Sequence, residues 1–324
     1  MKVRRATVYE LVFGLALLVL GALLGLKESG VWQDRFIYDA YYAMGSELPL
    51  QVLVAKPDAL FYVLVRAWDG AVGGKDALWC VLGALSLLLT GLSIGRASER
   101  PVAAFVTYAS FLMWVQIYTQ VRMALALSLC LASIYLWRKA RVTSVVARIA
   151  ACFIHSSLVV VVLGYSVLDR IRISRKRVFL WSGIVGFSVV LLSYYALPYV
   201  TFEKVAVYYE LLREGGHARI NLFSALPALQ VATLAVIAFT KRTSEQVDTA
   251  EYRLAMIGAL SFYALSAVPV FAVRVNELLS IFFIIVLTNS YRKSWPVFAM
   301  WLAYLAFSIK SAALLLTTEL VKQS

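Results

Sequence analysis

Charge is scarce in this 324-residue chain. Asp, Glu, Lys and Arg together make up 15% of it, where a soluble domain carries about 25%. That shortage excludes an ordinary soluble globular protein. Cysteine is scarce too: Cys80, Cys130 and Cys152 all lie inside apolar segments, without the spacing of metal ligands. They read as small packing residues, which excludes a disulfide framework and a cysteine-based metal site. Low-complexity tracts, internal repeats and a soluble domain are all missing. There are only two histidines, His155 and His217. The first is embedded in the apolar run "ACFIHSSLVV", where a titratable ring needs a reason.

What is abundant is hydrocarbon. Hydrophobic residues make up 62% of the chain and the mean hydropathy is +0.80. Apolar runs of about 17–25 residues recur from end to end, each long enough to cross a bilayer core of about 30 Å. They are continuously apolar rather than alternating, which excludes a β-barrel. The expected fold class is all-α, a single polytopic transmembrane helical bundle over 1–324. The spans read as about 8–26, 76–95, 101–119, 123–137, 178–198, 222–240, 253–272, 276–291 and 295–314. The start, "MKVRRATVYELVFGLALLVLGALLGLKES", has the shape of a secretory signal but no small-x-small cleavage pattern, so it reads as a retained first helix. Outer loops are expected at about 27–57 and 199–221.

The net charge of +13 invites a nucleic-acid reading, and the placement of the charges argues against it. With the N-terminus inside, most of the 31 basic residues fall on the cytoplasmic side, at "MKVRR", "GRASER", "RKAR", "DRIRISRKR", "FTKR" and "YRK". The outer side is then close to neutral. This is the positive-inside pattern, so the basicity sets orientation and needs no nucleic acid or other anionic partner.

Two regions do not fit simple crossings. Residues 58–72, "DALFYVLVRAWDGAV", are too short and too charged to span, and suggest a half-helix or a surface helix. The other holds His155. The basic clusters "RKAR" and "DRIRISRKR" both belong inside, yet one apolar stretch of about 27 residues separates them. A re-entrant hairpin over 143–168, with half-helices at roughly 143–154 and 156–168, keeps both clusters inside and puts His155 at its tip. Twelve residues rise about 18 Å, more than half the core depth. Non-helical backbone at that depth requires protein or a water-filled cavity around it. One tilted helix is the alternative.

On this topology several polar groups reach the same outer half of the membrane. Arg122 opens a helix after Tyr118 and Gln120, Arg274 is followed by Asn276 and Glu277, and Arg219 lies beside His217. Asp34, Asp39, Tyr41 and Tyr42 sit in the first outer loop. Guanidinium forks suit phosphate oxygens, so Arg122, Arg274 and Arg219 are the candidates for a lipid-linked phosphate or pyrophosphate. His155 suits proton removal from a sugar hydroxyl, with Asp39 the second candidate catalytic residue. Tyr41, Tyr42, Gln120, Asn276 and His217 are the candidates for sugar and acceptor binding. Each has a plainer reading: arginines that snorkel, a packed histidine, a solvated loop, an aromatic belt. Their gathering on one side is what carries information.

The run "IYTQVRMALALSLCLASIYLWRKARVTSVVARIAACFIHSSL" resembles the bacterial EpsG-type membrane proteins, which are grouped with the Wzy polymerases of O-antigen, capsule and exopolysaccharide. The shared pattern is an arginine opening an apolar helix (Arg122), a basic turn, and an alanine-rich stretch ending in Phe-x-His-Ser. Asp39 followed by Tyr41 or Tyr42 matches the family's early Asp and Tyr, and Arg274 matches its late arginine. Where the family often has Glu-Pro, this chain has Lys56-Pro57, with Asp58 as a possible stand-in for the glutamate. The resemblance implies the membrane glycosyltransferase fold of O-antigen polymerases and ligases. It also implies transfer of a glycan from undecaprenyl pyrophosphate on the outer face of the bacterial inner membrane. The implied enzyme is inverting, without metal or other cofactor, and its implied partners are lipid-linked oligosaccharide, membrane lipid and a chain-length regulator. No Asp-x-Asp motif appears, in keeping with a lipid-linked donor.

A ligase-like enzyme would share the phosphate residues and differ in its acceptor. A flippase for an anionic or lipid-linked glycan would equally use a hairpin and buried arginines. Against it stand the missing internal repeat and the one-sided polar groups. A non-catalytic scaffold would leave the intramembrane arginines without a purpose.

Overall fold

The computed structural model describes residues 13–23, 33–170, 224–266 and 268–321. His217, Arg219, the expected span 178–198 and the expected outer loop 199–221 lie outside the described residues. Among the described residues there are helices and no strands. Contacts divide the chain into two compact units, Met1–Leu163 with Ile309–Ser324, and Gly164–Ser308.

In the first unit, α1 (Phe13–Leu23) is a short apolar helix. The stretch expected as an outer loop carries α2 (Gln33–Glu47) and α3 (Leu50–Val54). The segment judged too short and charged to span is α4 (Ala59–Ala71), which buries Phe61, Tyr62 and Val65. Next comes α5 (Lys75–Ala97), long and apolar enough to cross a membrane. The expected span 101–119 is not one α-helix. It starts as α6 (Pro101–Ala109), with Pro101 suited to the first turn because its missing N–H has no partner there anyway. It ends in a π-helical turn, Trp114–Thr119. Gln120 (φ −130°, ψ 54°) breaks the chain, and α7 (Val121–Tyr135) starts at once.

Two helices follow α7, namely α8 (Arg141–Ile154) and α9 (Leu158–Leu168). The short turn after Tyr135 folds α8 back against α7. Ser144 Oγ donates to the Ser133 carbonyl at 2.9 Å, and Arg148 Nε donates to Ser133 Oγ at 3.2 Å. The outward face of α8 is Val142, Val145, Val146, Ile149 and Phe153, all exposed and spaced as one helical stripe. In a chain of this composition such a stripe is suited to contact with lipid.

The second unit contains α10 (Ala225–Phe239), α11 (Ala250–Ala264) and α12 (Pro269–Ser290). Thr249 caps α11 by accepting from the Tyr252 N–H. Arg253 is buried and donates to the carbonyls of Leu168 at 2.7 Å and Asp248 at 3.1 Å, which ties the end of α9 to the start of α11. The sequence placed a helix boundary near 273–275, and here the structure differs. Instead α11 ends at Ala264 and α12 starts at Pro269, because proline is tolerated at a first helical turn and not in a helix interior. Arg274 therefore lies inside α12 rather than before it. The last helix, α13 (Trp295–Val321), is apolar, and little of its apolar window is buried. Three helices among the described residues are long and apolar enough to cross a membrane, at Lys75–Ala97, Pro269–Lys293 and Trp295–Thr317.

Candidate functional site

The α7–α8 hairpin dictates where the site forms. Arg122 stands at the first turn of α7, and α8 runs back over a similar length to end at Ile154. At about 1.5 Å per residue the two helices match, so Arg122 and the turn at His155 arrive at the same end of the hairpin. His155 has left the helix (φ −148°, ψ 108°), and α9 begins three residues later.

Asp58, at the start of α4, joins the two. Its Oδ2 lies 3.1 Å from Arg122 Nη1, and its Oδ1 accepts the Ser156 backbone N–H at 2.7 Å. The pair is withdrawn from water, with 12% of the Arg122 side chain and 1% of the Asp58 side chain exposed. The Arg122 guanidinium lies 4.5 Å from the centre of the Tyr41 ring and 5.7 Å from that of Phe61. Its Nη2 approaches Tyr41 Oη at 3.4 Å, a weak hydrogen bond beside the ring contact. Ser157 Oγ is 2.7 Å from His155 Nδ1.

The aromatic wall comes from α2, α4 and α5. Tyr41 packs edge-on against Tyr38, Phe61 and Tyr62, and Phe61 stacks on Trp79 at 6.3 Å. Asp39 pairs with Lys75 at 3.1 Å. Tyr42 donates to Asp69 at 2.5 Å. Partial burial, and then the carboxylate it faces, push the Tyr42 hydroxyl up to about 12, so at neutral pH it remains a donor. Three buried polar atoms of this region, Asp39 Oδ1, Trp79 Nε1 and Arg122 Nε, have no hydrogen-bond partner. Buried polar atoms are normally satisfied, so such a group is a place for ligand hydroxyls or water.

The sequence candidates are thus divided. Arg122, Tyr41 and the His155 turn meet around one carboxylate. Asp39 and Tyr42 lie on the same helix as Tyr41 and contact α5 and α4 residues. Gln120 is buried at the break before α7. Arg274 and Asn276 lie in the second unit. Arg274 has 41% of its side chain exposed and a loose 3.6 Å ion pair with Glu277. The Asn276 amide is already engaged, donating to Gln230 Oε1 at 2.7 Å and to the Gly258 carbonyl at 3.1 Å. Among the described residues no cluster of His, Cys, Asp and Glu can hold a metal ion. The residue least visible to sequence reasoning is Asp58. Its only signal is a carboxylate beside Pro57 where the family pattern puts one before the proline.

No curated protein and no solved structure matches the chain. Residues 10–318, nearly its whole length, match the EpsG family, a Wzy-like polysaccharide polymerase family. A membrane helical chain with an arginine opening α7 and a broken helix at Phe153-Ile154-His155-Ser156 carries the pattern read from its sequence, and it belongs to the EpsG family.

Proposed function

We propose that this protein joins undecaprenyl-pyrophosphate-linked oligosaccharide repeat units on the periplasmic face of the bacterial inner membrane. The observation that carries the reading is the meeting of Arg122, Tyr41 and the His155 turn on one buried carboxylate, in a chain of a polysaccharide polymerase family. In this reading 143–168 is a re-entrant hairpin and His155 faces an outer cavity.

The chemistry assigned to the residues is an inverting transfer. The acceptor sugar O–H gives its proton to His155 Nε2 while its oxygen attacks the anomeric carbon of the donor. The bond from that carbon to the pyrophosphate oxygen breaks, and lipid pyrophosphate leaves with the electron pair. For Nε2 to be the basic nitrogen, Nδ1–H must donate to Ser157 Oγ, and their 2.7 Å separation allows it. Arg274 and Arg219 are the residues assigned to the charge that develops on the pyrophosphate. The weak Glu277 pair is one a phosphate can outcompete. Arg122 comes with Asp58 as its partner, so it contributes directed N–H groups more than net charge. Asp39 with Tyr41 and Tyr42, and beyond them Gln120, Asn276 and His217, are assigned to the sugars. The partnerless Asp39 Oδ1 and Trp79 Nε1 support a hydroxyl-rich ligand beside Tyr41.

The test is glycan length in cells carrying His155→Ala, Arg122→Ala or Arg274→Ala at normal membrane levels. Collapse to single repeat units, with lipid-linked precursor accumulating outside, is the expected result. Precursor trapped on the cytoplasmic face would instead identify a flippase. Long polymer left unattached to its final acceptor would identify a ligase.

A further inference from the structure

Asp58 occupies a position that costs the chain something twice over. It is the one non-glycine residue with positive φ among the described residues (φ 63°, ψ 33°), a left-handed conformation that residues bearing a Cβ rarely adopt. Asp and Asn tolerate it best. It also stands at the N-cap of α4, where an aspartate ordinarily turns its carboxylate onto its own helix. Here the side chain makes no such cap bond. Both oxygens reach outward, one to Arg122 and one to the Ser156 N–H, groups distant in sequence from it and from each other. The residue is 5% exposed. A strained backbone and a forgone cap serve one visible end, the placement of this carboxylate between two elements.

Building on the proposed function, we propose that Asp58 is a positioning residue that sets the His155 turn against Arg122. Ser156 precedes the first turn of α9, and its N–H is one of those a helix start leaves unsatisfied. Asp58 Oδ1 satisfies it and fixes the backbone directly after His155. Oδ2 fixes the plane of the guanidinium, with the Tyr41 ring on its face. One rigid carboxylate thereby defines the distance between the proposed base and the arginine. Asp58 itself need touch no substrate. Misplacing a catalytic group by about 1 Å is enough to cost about a hundredfold in rate.

Two substitutions separate positioning from mere packing. Asp58→Asn keeps the left-handed backbone and an oxygen for Ser156 N–H, but removes the charge facing Arg122. Asp58→Gly relieves the backbone and removes the side chain. In proteoliposomes given a short-chain polyprenyl-pyrophosphate-linked repeat unit, Asp58→Asn is expected to lower kcat about tenfold with KM within about twofold, and Asp58→Gly to lower kcat about a hundredfold. The double variant Asp58→Asn/Arg122→Gln should lose no more than the worse single variant. A second readout needs no polymerisation. Ser157→Cys, with Cys80, Cys130 and Cys152 replaced by Ala, should label with a soluble maleimide at least fivefold faster once Asp58→Asn or Asp58→Gly is added. Wild-type kcat in both Asp58 variants, losses that only track folded protein, or an unchanged labelling rate would overturn the proposal. If the unaltered protein forms no polymer, the functional reading fails, and faster labelling would still establish that Asp58 holds the turn.

Discussion

Arg122 keeps a charge inside an apolar fold because three different contacts share the load. Asp58 neutralises it, the Tyr41 ring offers its negative face, and its aliphatic stem lies at the start of apolar α7. Removing one partner of a buried pair leaves the other uncompensated, which is costlier than the pair's net worth suggests. The Tyr41 contact can be divided further. Its hydroxyl meets Nη2 at a weak 3.4 Å, whereas the ring centre is 4.5 Å from the guanidinium carbon. Tyr41→Phe should therefore leave polymer output within about twofold, and Tyr41→Leu should lower it about tenfold, in line with ring contacts worth about 0.5–2 kcal/mol. The check is repeat-unit number per chain in cells with matched protein levels. Equal losses in both variants would mean that the hydroxyl, not the ring, is the contact that matters. Lysine is no substitute for the arginine, since a point charge cannot pair with Asp58 through one nitrogen, reach Tyr41 Oη with another and lie flat over the Tyr41 ring.

At the level of elements, the second unit is held by a close approach of α11 and α12. A Cβ on Gly258 would lie 2.5 Å from Leu279 Cβ, closer than real atoms sit, so the two helices touch there without a side chain between them. Small residues at such contacts let membrane helices pack backbone to backbone. The Asn276 amide crosses the same contact to the Gly258 carbonyl, and Gln230 of α10 joins it by donating to Ser280 Oγ at 2.8 Å. Gly258→Val should overpack this seam by about 1–3 kcal/mol and lower the melting temperature of the purified protein. Gly258→Ala should do so less. A melting temperature equal to that of the unaltered protein in both would mean that α11 and α12 are further apart than this.

The same elements show what the sequence could and could not reveal. The end of α8 at His155 lies where the sequence reading put a break, on the expectation that two basic clusters share one side of the membrane, a constraint that acts through charge and is visible locally. The boundary between α11 and α12 was not legible, because Arg274, Asn276 and Glu277 drew it to 273–275, whereas only the rule for Pro269 marks the start of α12. Arg122 was legible as a charge at the head of an apolar helix. Its partner Asp58 was not, since pairing across distant elements is decided by packing and leaves little trace in spacing. The double use of one carboxylate, on a side chain and on a backbone N–H, leaves none.

For the whole molecule, orientation follows from charge at helix ends, and α5 is where it can be read most directly. This helix carries Lys75 and Asp76 at its start and Arg96 at its end, with Arg100 four residues further on. At the starting end the helix itself carries one basic residue, Lys75, which pairs with Asp39. Arg96 and Arg100 outnumber Lys75, so the Arg96 end should be cytoplasmic and the α4–α5 turn should be periplasmic. Val72 in that turn is 65% exposed, and Glu99 beyond the other end is exposed as well. With the three native cysteines replaced, Val72→Cys should react with a membrane-impermeant maleimide in cells whose outer barrier has been opened. Glu99→Cys should react only after the inner membrane is permeabilised. The same labelling also tests the side of the candidate site. Asp58 leads into α4 and α4 leads into the Val72 turn, so the carboxylate that joins Arg122 to the His155 turn belongs to the segment preceding the Lys75 end of α5. Reversed labelling would put both that segment and its carboxylate on the cytoplasmic side, where a polymerase of externally presented repeat units has no substrate.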